Sequence, residues 1–140
     1  MSDILFFVGK HFYLSNYYGT SVKYNGVKYK SSEAAYQAQK CANTKRIKAF
    51  AKLTPDQAKR LGRRVKMRDD WNAVKVGIMH DIVTAKFNQH PLLARKLIKT
   101  GNAYLEEGNT WGDRFWGTVD GKGLNNLGKV LMQVREEIKK

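Results

Sequence analysis

The sequence predicts an α+β fold, a mainly α-helical single domain over residues 1–140 with a small N-terminal β-hairpin. Three observations carry that prediction. "SVKYNGVKYK", residues 21–30, alternates around Asn25-Gly26, a dipeptide suited to the two-residue turn of a hairpin. Apolar residues then recur at helical spacing, as Trp71, Val74, Ile78, Ile82 and Ala85 do. Finally, a chain of 140 residues with 42% hydrophobic content can bury about 70% of its unfolded surface, enough for one core without cross-links.

Each element has a local reason. "ILFFV", residues 4–8, reads as a strand ahead of the hairpin. A helix over about 32–42 is capped by Ser31 or Ser32, with Glu33 in its first turn where the helix dipole favours an acid. A second helix follows Thr44, with Ile47, Phe50 and Ala51 inward. A third runs from Pro55 to Leu61, with Thr54 as its cap and Gly62 placed to end it. The longest starts after Asp69-Asp70 and reaches about Asn88. Pro91 opens another through Ile98, closed by Gly101, and the last begins near Leu124 and buries Leu127, Val130, Leu131, Val134 and Ile138. Between these two lie residues 104–126, with five glycines and two tryptophans, Trp111 and Trp116. A loop that long in a compact domain is functional or disordered, and its aromatic residues argue for order.

The charge balance narrows the partners. Twenty-six Lys and Arg against twelve Asp and Glu give +14, which implies nucleic acid, a phosphorylated small molecule or acidic surroundings. The densest run, "KRLGRRVKMR" at residues 59–68, holds six basic residues and no aromatic one. It reads either as a phosphate contact or as a solvated basic surface, not as a base-stacking platform. Cys41 is the only cysteine, so no internal disulfide forms and a reducing compartment fits best. "MSDILFFVGKHFYL" lacks a basic segment before its short apolar run, and no apolar stretch approaches about 18 residues. A cytoplasmic protein without a membrane partner is expected.

Several chemistries are disfavoured by motif. His11, His80 and His90 lack metal-ligand spacing, and no phosphate loop occurs. "GKGLNN" lacks the third glycine of a dinucleotide fingerprint, and "DGKGLNN" lacks the acids of a calcium loop. No metal and no cofactor are expected. Carboxylates, amides and aromatic faces remain, the inventory that cleaving an N-ribosyl bond needs. Positive charge develops at the anomeric carbon, a carboxylate stabilises it, and an acid–base group handles water or the leaving group.

At about 100° per residue, Glu33, Tyr36, Gln37 and Lys40 share one helix face, opposite Ala34, Ala35, Ala38, Cys41 and Ala42. Glu33 reads as an anionic stabiliser or base, or as a dipole complement with a surface pair to Gln37 or Lys40. Asp113, beside Gly112 and near Trp111 and Trp116, is the second carboxylate candidate or a turn residue. Trp71 is a core residue or a stacking platform.

"FYLSNYY" followed by "YNGVKYKSSEAAYQAQK" resembles the YbiA-like, or NADAR, family, named for its association with NAD and ADP-ribose. The resemblance continues in order through "AKRLGRR", "WNAVKVGIMHDIVTAKFNQHPLL", "DRFWG" and "GLNNLGKVLMQVR", nearly the whole chain. It implies a YbiA-like fold and hydrolysis of N-glycosidic bonds, in ribosylamino-pyrimidine phosphates of the riboflavin pathway or in ADP-ribosylated guanine of nucleic acid. On matching positions the family's glutamate falls on Glu33 in "SSEAAYQ", its tryptophan on Trp71 in "DDWNAVK" and its aspartate on Asp113 in "GDRFWG". The asparagine of "LSN" is Asn16 and the basic residue of "LGR" is Arg63. Where the family commonly has histidine after the glutamate, Ala34 stands here, which bears on substrate preference.

Together these readings describe an N-glycosidase acting on a phosphorylated ribosyl or ADP-ribosyl substrate. Glu33 and Asp113 carry charge and proton work. Lys40 either attacks an opened ribose C1 to form an imine or meets phosphate. Trp71 or Trp116 stacks on substrate, Asn16 fixes polar groups and Arg63 meets phosphate. Tyr36, Gln37, Trp111, Asn125 and Asn126 complete the substrate-binding set. The helix of Glu33 is expected to pack by its alanine side and present its polar side as one pocket wall, with the glycine-rich loop opposite. The alternatives are a riboflavin-intermediate hydrolase and a non-catalytic module that binds ADP-ribose or nucleic acid.

Overall fold

In the computed structural model, which describes residues 2–139, the α+β class holds: five α-helices and a two-stranded antiparallel sheet among the described residues. The chain forms two compact units, one of Asn16–Gln89 and one of the N-terminal segment to Ser15 with the chain from His90 onward.

The unit Asn16–Gln89 begins with the hairpin. Strands β1 (Val22–Tyr24) and β2 (Val27–Tyr29) pair in the register Val22 with Tyr29 and Tyr24 with Val27. Asn25 and Gly26 both take positive φ, 49° and 82°, which a two-residue turn matched to strand twist requires. Val22 and Tyr29 are buried on one face, while Lys23 and Lys28 face each other, exposed, on the other. Such like charges weaken a pair, and here the Gln89 side chain brackets the Lys23 backbone with two hydrogen bonds of 2.8 Å.

Helix α1 (Ser32–Ala38) is shorter than expected. Ser31 caps it, accepting from Ala34 N at 3.1 Å, and beyond Ala38 the chain leaves to bridge Cys41 with Met67. A 3₁₀ helix spans Thr44–Phe50, tighter than the expected α-helix, and buries Phe50. Helix α2 (Pro55–Gly62) has the anticipated Thr54 cap, doubled by Gln57 into a reciprocal capping box. Gly62 is its last helical residue, and Arg63 at φ −75° is the C-cap, so no left-handed glycine ends it.

Helix α3 (Trp71–Gln89) buries Trp71, Met79, Ile82, Val83, Lys86 and Phe87. Val74, Ile78 and Ala85 of the expected stripe are only half-buried, because the helix is enclosed on a face rotated toward Met79 and Phe87.

In the other unit "ILFFV" forms no strand. Ile4 makes a single parallel bridge to Leu105, and a 3₁₀ helix follows at Gly9–Leu14. The segment is apolar enough for a strand, but its backbone pairs only briefly, through Ile4, Leu5 and residues 104–108. Helix α4 (Pro91–Lys99) ends through Thr100 and Gly101 at φ 63°, as the sequence predicts. Helix α5 (Asn126–Ile138) buries Leu127, Val130, Leu131 and Val134, with Ile138 half-buried at its C-terminal end. The glycine-rich segment between them is ordered by short backbone pairings, Gly108 with Thr118 and Val119 with Lys122. No helix among the described residues is long and apolar enough to cross a membrane.

Candidate active site

Helix α1 carries the first candidate cluster, and it is buried all round. Glu33 (9% exposed), Tyr36 and Gln37 are enclosed along with Ala34, Ala35 and Ala38. The expected division into a packed alanine side and an open polar side is therefore replaced by a helix embedded among the hairpin, α2, α3 and the 3₁₀ helix. Small residues on one side let the backbone approach its neighbours, and the polar side is enclosed with its groups largely paired.

The pairing centres on Glu33. The Gln37 amide Nε2 donates to Glu33 Oε2 at 2.6 Å, an i,i+4 bond that is buried rather than on the surface. The Glu33 backbone N–H donates to the Asn16 carbonyl at 3.1 Å. Asn16 is buried, its Oδ1 accepting from Ser32 Oγ at 2.8 Å and its Nδ2 donating to Met79 Sδ at 3.4 Å. Asn16 thus fixes the first turn on which Glu33 stands.

Lys40, one turn past Gln37, is half-buried. Burial pushes its pKa below the usual lysine value, Glu33 acts in the opposite direction, and Arg63, Lys75 and Lys59 add to the lowering. A lysine held toward its neutral form is the state that can attack a carbonyl carbon. Lys75 and Lys59 were not singled out in the sequence. Lys59 lies in the basic run, and Lys75 follows Trp71 by four residues on α3, which is the only local signal that could have found it.

Trp71 is 4% exposed and packs its indole on Tyr36 at 5.1 Å between ring centroids, tilted 49°. Arg63 is exposed just past α2. Within the basic run Arg60 faces Asp56 at 3.4 Å and Arg68 grips Asp70 at 2.6 Å, so two of its charges are matched by acids. A surface depression of about 310 Å³ in this unit is lined by Thr20, Ser21, Lys28 and Lys30 and contains none of the candidate residues.

The second carboxylate lies in the other unit. Asp113 Oδ1 accepts from the backbone N–H groups of Phe115 at 3.0 Å and Trp116 at 2.9 Å. Asn109 clamps the same residue from behind, donating to the Asp113 carbonyl at 2.8 Å and accepting from its N–H at 3.0 Å. Asp113 therefore builds the turn that presents Phe115 and Trp116, whose rings meet edge to face at 4.9 Å. Trp111 is 62% exposed on the same loop. Asn125, buried at φ 53°, accepts from Glu107 N at 2.9 Å and donates to the Leu105 carbonyl at 2.9 Å. That clamp holds the loop to the start of α5, where Asn126 is half-buried as the first helical residue.

Among the described residues no group of three or more His, Cys, Asp or Glu side chains is placed to hold a metal ion.

The chain is similar to known proteins over most of its length. The model of the NADAR domain matches residues 6–139. A riboflavin biosynthesis protein of Vibrio vulnificus is 40% identical over 91% of this chain, which spans only 36% of that relative. An N-glycosidase of Nostoc punctiforme is 44% identical over 76% of this chain and 72% of its own. The N-glycosidase YbiA of Escherichia coli is 38% identical over 89% of this chain and 79% of its own. Its solution structure superposes with a TM-score of 0.87 at 33% identity, covering 99% of this chain and 87% of that one.

Proposed function

The chain belongs to the NADAR-domain family, and from this we propose that it is an N-glycosidase hydrolysing the N-ribosyl bond of a phosphorylated ribosyl or ADP-ribosyl substrate. The observation that carries the proposal is the buried Glu33 carboxylate, held at 2.6 Å by Gln37 on α1, with a lysine of lowered pKa, Lys40, two residues past the end of that helix. A fixed carboxylate serves a reaction whose transition state is cationic at the sugar carbon, because it is already oriented when that charge develops. Glu33 stabilises this charge or activates water. Asp113, in the other unit, commits Oδ1 to its own turn and is the second carboxylate candidate. Lys40 meets phosphate or attacks an opened ribose C1. In the second case the ring-opened C1 carries the base nitrogen as an imine; the Lys40 amine adds to that carbon, the base leaves as its amine, and water then hydrolyses the lysine imine to the ribose aldehyde and the free amine. Trp111 and Trp116 supply aromatic faces, and Arg63 a phosphate contact.

Two substrate readings follow from separate observations. The +14 charge favours ADP-ribosylated guanine in nucleic acid. The riboflavin-biosynthesis name of the Vibrio relative favours a ribosylamino-pyrimidine phosphate. Incubating the purified protein with both, and assaying released base and ribose phosphate, separates them, with Glu33→Gln and Asp113→Asn as controls. A nucleic-acid substrate predicts affinity that falls steeply between low and moderate salt. Binding of either substrate without any release would instead identify a non-catalytic module.

A further inference from the structure

We propose that Gln37 and Gly62 form a positioning pair for Glu33: the missing side chain at Gly62 leaves the space in which the Gln37 amide turns its NH2 edge onto the carboxylate. This rests on the assignment of Glu33 to the reaction.

Gln37 is 4% exposed, and its Nε2 donates to Glu33 Oε2 while its Oε1 is buried with no hydrogen-bond partner. A buried orphan acceptor is costly, so something keeps the amide in this orientation. Turning it over would set Oε1 against an ionised carboxylate, acceptor against acceptor, so an anionic Glu33 admits only the observed direction. The orphan oxygen faces Gly62, where a Cβ would overlap Gln37 Oε1 and lie 3.0 Å from its Cδ.

Nothing in the backbone requires glycine at position 62. It lies within α2, it is absent from the positive-φ glycines, and Arg63 forms the cap. Alanine is the better helix former. What glycine supplies is space, and the group filling that space is the end of one side chain. An alanine would displace the Gln37 amide rather than the backbone.

Lys40, two residues past α1, is the cation that interacts electrostatically with Glu33, and Lys59, Arg63 and Lys75 bear on Lys40 from α2, its C-cap and α3.

The test follows the Glu33 side-chain carboxyl carbon by NMR of ¹³C-labelled protein through a pH titration, in wild type, Gly62→Ala, Gln37→Leu and the double variant. Losing a donor to the charged form raises the carboxyl pKa, by about half a unit to one unit for one hydrogen bond. Both single variants raise the midpoint, the double variant raises it no further, and the thermal midpoint of Gly62→Ala does not fall. In hydrolysis assays kcat drops by about tenfold to a hundredfold in both single variants. A wild-type titration midpoint in Gly62→Ala overturns the pair. Glu33→Gln, assayed alongside, separates the two ideas: full activity there defeats the catalytic reading of Glu33 whatever the titrations give. An inactive Glu33→Gln beside an unmoved midpoint in Gly62→Ala defeats the pair alone.

Discussion

In the unit Asn16–Gln89 the candidate carboxylate, Glu33, accepts from a side chain on a helix buried all round; in the other unit, Asp113 accepts from the backbone of its own loop. The buried cations differ in a parallel way. Lys86, 1% exposed in α3, has its pKa lowered to about 7 by desolvation. The rings of Tyr18 and Phe87, at 5.7 and 5.4 Å, favour its charged form, and burial outweighs them. Arg135, 5% exposed in α5, also has its pKa lowered by burial, and it donates through Nη1 to Thr100 Oγ1 and the Ala103 carbonyl, each at 2.9 Å. It thereby fastens the end of α4. In the helix-packed unit the candidate carboxylate is held by a side chain of its own helix, whereas in the loop-rich unit Asp113, Asn125 and Arg135 hold backbone groups.

Lys86→Met gives the largest expected separation of the two. The unfolded chain holds this proton to about pH 10.5 and the folded one to about 7. Below about pH 7 both states are charged and folding bears the full cost of burying the ammonium. Between the two values the unfolded state binds more protons, so stability rises with pH, at up to about 1.4 kcal/mol per unit. Urea unfolding across this window should show that slope in wild type and lose it in Lys86→Met. A slope unchanged by the substitution would mean that Lys86 is not the group responsible.

Arg135→Met should lower stability by about 1–3 kcal/mol through the acceptors it abandons, leaving the pH slope intact. Equal stability of this variant and wild type would remove the contrast between the two cations. Asp113→Ala should cost about 1 kcal/mol by freeing two backbone donors, whereas Asp113→Asn keeps an acceptor oxygen and stays near wild type in unfolding. If Asn and Ala destabilise alike, Asp113 is not holding the turn by hydrogen bonding.

How much of this was legible depends on the range of the interaction. The hairpin was readable because Asn25-Gly26 fixes its own backbone, and α2 because Thr54, Pro55 and Gln57 cap it locally. "ILFFV" was not, since its extended backbone finds a partner only at residues 104–108, about a hundred positions away. The buried face of α3 differs from the apolar stripe because Lys86 and Phe87 take core positions outside that spacing. In the site, the Glu33–Gln37 neighbourhood follows from helix spacing. The burial of α1 on every side, and the fit of Gln37 against Gly62, are tertiary facts with no local mark. The turn role of Asp113 was visible as an alternative because aspartate beside glycine commonly makes such turns.

The measurement that reaches Glu33 most directly is hydrolysis and binding of one ribosyl substrate by Glu33→Gln beside wild type. A loss of about 10²-fold or more in kcat, with the dissociation constant changed only a few-fold, is the predicted result. A variant that releases the base at the wild-type rate would contradict it.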